Sequence, residues 1–476
     1  MKFLHIADVH LGCRRYNLDE RPKDFFRAWQ DVVARHAVGN KVDFVLIAGD
    51  FFNSRKVDPQ AMNHAMLGLQ MLKEAGIPVI AIEGNHDQHD AVTDFSWLRS
   101  LSQWGLLKLL EPQHDEDGRI KLVPWKEEDR SGSYIDVAGA RIFGSHWYGM
   151  TTNHAIPPLA EAIREQRDPS GFNILMLHTE VEGQLNRPLP ALSIAKLKEL
   201  RECVDYVALG HTHKRFELDG WAFNPGSLEA CSIDEYREER GVYLVEVGEE
   251  DSVRQVKVEH LSDHVQRPFQ RLSFDVSGLA DADAVSEGVA EIVRRQAHAH
   301  DETSDDPAPI IEISLRGQLG FKSSLLDINR MRDDAQAHTG ALHVLVRNQS
   351  VPVEYAVAVG LDAHASRYER ERRIIEDLIG RDARFRDRAA HVAALVLKAK
   401  QLALEDEDPA KILEMIEQQL DAGVDEKVVE QTSVSSAEEQ EPITPSAAQA
   451  IERNAAAGSR TVRSQETEVS MDGVLF

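Results

Sequence analysis

Apolar residues in the first half of the chain come in short continuous runs that stop abruptly at a polar residue. FLHIA ends at Asp8, DFVLIA at Gly49-Asp50, and IPVIAI shortly before Gly84-Asn85-His86-Asp87. NILML ends at His178, and YVAL at Gly210-His211-Thr212-His213. Runs of this length, bounded by turn residues, predict strands buried on both faces. Arg141–Gly144 and Gly241–Val247 have the same form, while residues 22–37 and 60–75 carry helical periodicity. The alternation predicts an α/β fold.

The pattern resets near residues 262–268. Strands are predicted at 269–276, 310–315 and 342–346 and helices at 284–297 and 324–336, a small α+β unit with a polar loop at 298–309. From about Asp362 to Leu420 the chain reads as helical, with segments at 385–404 and 409–420. Val392, Leu395, Val396, Ala399 and Leu402 repeat at helical spacing, so the first of these is amphipathic. Its apolar face either packs on its own domain or grips a coiled coil. Beyond about Val424 the sequence turns Ser/Ala/Glu-rich and is expected to be disordered. It closes on Val474-Leu475-Phe476, read as either a plain end or a short docking motif. The division expected is 1–262, 263–350, 351–424 and an acidic tail 425–476.

Composition narrows the class. The 476 residues are 42% apolar, enough for a large core. No run of about 18 apolar residues predicts a spanning helix, and the N-terminal apolar stretch is too short, and interrupted by Asp8, to be a signal peptide. Cys13, Cys203 and Cys231 fit no paired framework and no zinc spacing. They are expected to be small packed residues in a reducing, cytoplasmic setting. The net charge of −26 argues at first sight against nucleic acid. Residues 401–476, however, hold 17 acidic and 5 basic side chains, whereas residues 1–60 hold 10 basic and 8 acidic. The segment bearing the first motif is therefore mildly basic.

The polar residues at the run ends are chemically of one kind. Ligands collect at the carboxyl ends of strands in sheets covered on both faces, so the five ends can converge. Asp8, His10, Asp50, Asn85, His178, His211 and His213 offer hard oxygen and borderline nitrogen donors. Such a set suits Mn²⁺, Fe²⁺ or Zn²⁺. Seven donors exceed one tetrahedral site and suit two neighbouring cations, with Asp50 as the bridge. Asp8-x-His10 and His211-x-His213 have the period-two spacing that puts two side chains on one face of a strand. Gly49, Gly84 and Gly210 immediately precede donors, where close backbone approach is needed. His86 reads as an acid for the leaving oxygen or a donor to the phosphoryl group, with Asp87 orienting it. Each motif alone is common; all five in this order are not.

These motifs resemble the calcineurin-like metallophosphoesterases over roughly residues 1–260. The segment Asp8-Val9-His10-Leu11-Gly12 and the later Asn224-Pro225-Gly226-Ser227 resemble the SbcD-type DNA-repair nucleases. The resemblance implies a two-sheet sandwich flanked by helices, a smaller α+β capping domain that contacts DNA, and a helical segment that binds an SMC-like ATPase of the SbcC type. It implies two divalent cations, manganese foremost: one on Asp8, His10, Asp50 and His213, the other on Asp50, Asn85, His178 and His211. Homodimers are usual in that family. His86 matches its catalytic histidine. One position departs: a second histidine often stands three residues after the bridging Asp, and here it is Asn53. Asparagine cannot give up a proton at neutral pH, so an acid role there is not expected.

Arg14, Arg15 and Tyr16 lie just beyond the first motif. They are read as phosphate contacts and a base-stacking ring, with a solvated loop as the alternative; Asn53 is kept as a substrate contact. The expected function is a metal-dependent DNA nuclease hydrolysing phosphodiester bonds. The alternative is a metallophosphoesterase for small phosphodiesters or nucleotides, which the acidic balance and Asn53 favour.

Overall fold

The structure is a computed structural model. It describes residues 1–89, 95–185, 191–250, 253–301, 303, 306–351, 367–380, 385, 388–404 and 407–421. The chain divides into two compact units, Met1–Val353 and Glu354–Phe476.

In the first unit two six-stranded sheets pack face to face. One has the order Val253–Leu261, Val242–Glu250, Lys2–Ile6, Phe44–Ala48, Val79–Ile82, Lys108–Leu109. Its last four strands run parallel, and Val242–Glu250 joins antiparallel to Lys2–Ile6. The other has the order Phe216–Leu218, Ala222–Asn224, Tyr206–Gly210, Phe172–His178, Ala140–Phe143, Tyr134–Val137. Its four middle strands are parallel.

The continuous apolar runs follow from burial on both faces. Phe3, Phe44, Leu46, Ile80 and Ile82 meet Ile174, Met176, Tyr206 and Phe223 between the sheets. The alternate residues Leu4, Ile6, Val45 and Ile47 face outward onto Trp29, Val32 and Leu69 of the flanking helices. The second sheet is covered likewise by Ile156, Leu159 and Ile163. One polar residue interrupts the inner layer. His5, fully buried, takes the Tyr206 hydroxyl at 3.0 Å on Nδ1 and donates from Nε2 to the Leu209 carbonyl at 3.0 Å. It is a hydrogen-bonded strut between the two sheets.

The small unit within this body is a three-stranded parallel sheet, Phe269–Asp275, Ile310–Arg316 and His343–Asn348, with helices Ala282–Gln296 and Ile328–Thr339. Ile311, Ile313 and Leu315 face the helices' Val285, Val289 and Met331. The intervening residues turn to the opposite face, where Glu312 is fully buried. Its oxygens lie 2.5 Å from Arg271 Nε and 2.7 Å from Arg347 Nε. Both arginines also reach Asp234, on the short turn Ile233–Glu235 of the sandwich. Arg267, at the junction, is buried and forks onto Asp24 at 2.6 and 2.7 Å.

The second unit contains helices Arg367–Gly380, Ala389–Leu404 and Pro409–Asp421. Val392, Ala393, Leu395 and Leu397 are buried, but Val396, expected on the same stripe, is exposed. The expected tail 425–476, with its terminal Val-Leu-Phe, lies outside the described residues. No helix among the described residues is long and apolar enough to cross a membrane.

Buried histidines tie this packing to pH. Burial, against the Leu228 carbonyl that Nε2 meets at 2.7 Å, pushes His264 down to about 4. The unfolded chain therefore takes up a proton near 6.5 that the fold refuses. Stability is full above that pH and falls as pH drops from 6.5 towards 4, by on the order of 3 kcal/mol for this group. In urea titrations at pH 7.5 and 4.5, His264→Gln, which keeps a donor for Leu228, should show a smaller loss than the parent; equal losses would contradict this.

Candidate metal centre

All five strand ends reach one edge of the sandwich. The first sheet delivers Asp8 and His10 after Lys2–Ile6, Asp50 after Phe44–Ala48, and Asn85 and His86 after Val79–Ile82. The second delivers His178 at the end of Phe172–His178 and His211 and His213 after Tyr206–Gly210. Cross-sheet hydrogen bonds lock the two edges together. The His211 amide donates to both Asp8 oxygens at 3.0 Å, and His178 Nδ1 donates to the Ala48 carbonyl at 2.8 Å.

Strand alternation does not produce the convergence. Asp8, His10, Asp50, His211 and His213 all have positive φ, between 48° and 91°. Non-glycine residues adopt that backbone rarely and at a cost, and such strain clusters at functional sites. The D-x-H and H-x-H pairs therefore share a direction because the chain kinks at each donor. Glycine does what its position predicted. A Cβ on Gly49, itself at φ 89°, would lie 2.3 Å from His178 Nδ1, and one on Gly84 would lie 2.1 Å from Asp50 Oδ1.

Two donor groups result. Asp8, His10, Asp50 and His213 place one ligand atom each within 4.8 Å of one another, as do Asp50, His178 and His211. Asp50 belongs to both. Asn85 Oδ1 joins the second group, 2.8 Å from His211 Nδ1 and 3.2 Å from His178 Nε2. The seven expected donors are thus in one place. His10 Nε2 and His213 Nε2 lie 2.8 Å apart, and His178 Nε2 is 3.2 Å from Asp50 Oδ2.

The carboxylates and imidazoles shift one another's protonation. Burial alone would lower His178, but Asp50 and Asp8 hold it up to about 9. Burial likewise opposes His213, yet Glu235, Asp8 and Asp50 hold it up to about 9. Burial and the neighbouring His213 push His10 far down. Burial would raise Asp50, but His178 and His10 keep it anionic. Without cations the cluster therefore retains protons on nitrogens that would serve as donors, and cation binding releases them. Buried, largely unhydrated carboxylates and imidazoles of borderline hardness fit divalent ions.

The remaining predicted residues fall into place unevenly. The His86 amide donates to Asp50 Oδ1 at 2.9 Å, and its ring meets that of His10 edge to face at 4.9 Å. Its Nδ1 donates to the Asn53 carbonyl at 2.9 Å. The backbone of Asn53, rather than Asp87, therefore orients His86. Asp87 is buried and accepts from the amides of Phe51, Phe52 and Gly84 at 2.6, 3.1 and 2.8 Å. It ties the Asp50 loop to the His86 loop. Burial, with Asp50 nearby, raises its carboxyl to about 7. Arg14 pairs with Asp19, and Arg15 lies over the Tyr16 ring. Tyr16 is engaged: its hydroxyl accepts the Ile233 amide at 2.8 Å and its ring lies 5.5 Å from that of His343. One side of this ring thus meets the small unit at His343. Glu235 escaped the sequence reading. It holds His213 Nδ1 at 3.1 Å and so aims Nε2 inward; no motif marks it.

Residues 1–215 match the calcineurin-like phosphoesterase family. Curated relatives include proteins named DNA double-strand break repair protein Mre11. That of Archaeoglobus fulgidus is 34% identical over 258 residues, 50% of this chain and 54% of its own length. That of Aeropyrum pernix is 27% identical over 73% of this chain and 79% of its own. For that of Sulfolobus acidocaldarius the values are 26%, 68% and 78%. The chain thus spans about half the first relative's length and over three quarters of the other two. Donor geometry and sequence point the same way: residues 1–215 match the calcineurin-like phosphoesterase family, in a chain similar to DNA-repair proteins of the Mre11 kind.

Proposed function

We propose that the chain is a metal-dependent DNA nuclease that hydrolyses phosphodiester bonds and works in DNA repair beside an SMC-like ATPase. The observation that carries the reading is that Asp50 is common to both donor groups, as a bridging carboxylate must be. Asp8, His10, Asp50 and His213 would hold one cation, and Asp50, Asn85, His178 and His211 the other. When bound, the pair would supply Lewis acidity to the phosphoryl oxygens and lower the pKa of bound water.

The protein's own groups do the rest. With Nδ1 donating to the Asn53 carbonyl, the His86 ring is fixed and its Nε2 faces the substrate. There it hydrogen-bonds the phosphoryl oxygens or protonates the leaving oxygen. Asp87 keeps the two loops in register. DNA reaches the centre past the exposed Arg14 and Arg15, whose guanidiniums meet phosphates in a salt-dependent way. We assign residues 1–262 to catalysis, 263–350 to a cap, and 351–424 to partner binding. Ile374, Leu378, Val396, Leu404 and Leu413 are exposed on the helices of that last segment, and apolar side chains of this kind suit the base of a coiled coil.

With Mn²⁺, the purified chain should cut linear duplex DNA, and His86→Asn should lower that rate by about 10²–10⁴-fold with metal content unchanged. Cleavage confined to cyclic nucleotides and bis-nitrophenyl phosphate, even with an ATPase present, would favour the small-ester reading. Asp50→Ala should reduce bound Mn²⁺, measured by elemental analysis, at both positions. His178→Ala should reduce it at one only. Deleting residues 362–424 should abolish co-precipitation of the ATPase; equal recovery would remove that assignment.

A further inference from the structure

We propose that Cys231 is a thiolate donor to the cation position formed by His10 and His213, giving that position alone a preference for thiophilic divalent ions such as Zn²⁺. The inference rests on the two-cation reading above and goes beyond its seven donors.

The Cys231 sulfur and one nitrogen each of His10 and His213 lie within 4.8 Å of one another. The same two histidines belong to a second group with Asp8 and Asp50, in which the sulfur is not included; the two imidazoles are what the thiol and the carboxylates have in common. The other group, Asp50, His178, His211 and Asn85, contains no sulfur. The two positions, alike in hard donors, are therefore chemically unequal.

The thiol is held in place. The Cys231 amide donates to Glu235 Oε2 at 2.9 Å, while Glu235 Oε1 holds His213 Nδ1 at 3.1 Å. A single carboxylate thus fixes both the histidine and the loop bearing the thiol. On the other side, the Cys13 amide donates to the His10 carbonyl at 3.1 Å, and the Cys13 and Cys231 side chains interact. His10 is 1% exposed, and its Nδ1 is buried without a hydrogen-bond partner among the described residues. Cys231 is half-buried, hence neither a surface thiol nor a sealed core residue.

Binding breaks the S–H bond and forms a sulfur–metal bond, and the proton leaves to solvent. Thiolate ligation selects zinc-like ions over manganese, whereas carboxylate and imidazole alone discriminate weakly. The His10–His213 position then retains Zn²⁺ or Co²⁺ under conditions in which Mn²⁺ exchanges.

The test is a Co²⁺ titration of the chelator-stripped full chain, followed in the near ultraviolet. A thiolate-to-cobalt charge-transfer band is expected to saturate with one of the two bound ions. It should vanish in Cys231→Ser and persist in Cys13→Ser. In competition with a chromophoric chelator, Cys231→Ser should weaken Zn²⁺ binding by about 10–100-fold and leave Mn²⁺ within about threefold. Cys231→Asp, which restores an anionic oxygen, should recover Mn²⁺ binding without the zinc preference, and it serves if the serine variant misfolds. Two bound Co²⁺ ions without the band, or a band unchanged in Cys231→Ser, would overturn the assignment of Cys231 and spare the two-cation reading. Failure of the parent to take up Co²⁺ or Mn²⁺ at all would remove both.

Discussion

Two carboxylates and four imidazoles share a space a few ångströms across, and most are out of water. Buried charge is tolerated only when paired or coordinated, and this requirement shapes the surrounding structure. Asp8 lies under the His211 amide, and Asp50 takes the amide of His86. His178 is pinned to the Ala48 carbonyl and His213 to Glu235. The inner layer meets the same demand one step back, where His5 bridges the sheets through Tyr206 and Leu209. Left-handed backbone at five donors is the strain that results, and the paired sheets keep it from relaxing.

Much of this was legible in the chain. Apolar runs broken by Asp, Asn or His marked the strand ends, because a strand covered on both faces cannot accept a polar residue until it emerges. The glycines before Asp50 and Asn85 marked close approach. The small unit was also readable, since its strand and helix periods are clean. What failed did so for a common reason. Asp87 beside His86 looked like its partner, yet the ring turns to the Asn53 carbonyl, 33 residues away. The hydroxyl of Tyr16, read only as a base-stacking ring, has a partner that spacing could not show, the Ile233 amide 217 residues distant. Glu235 belongs to no motif, and only the fold brings it to His213. Spacing reports contacts along an element, not those made across one.

The turn Ile233–Glu235 joins these observations. Ile233 engages Tyr16, Asp234 engages Arg271 and Arg347 of the small sheet, and Glu235 engages a donor histidine. Three consecutive residues thus connect the first loop, the small unit and the metal centre.

Arg267 bears on where the polypeptide could be shortened. Its side chain is 3% exposed and straddles Asp24, itself nearly sealed, and its amide satisfies Glu229 at 2.8 Å. A fragment stopped at Leu261, the end of the first sheet, would discard this arginine along with Arg271 and Arg347. Removing one member of a sealed ion pair commonly costs roughly 3–5 kcal/mol, a large share of a domain's net stability. The shortest fragment that keeps these ion pairs consequently runs on to about Val351, past the third strand of the small sheet, His343–Asn348.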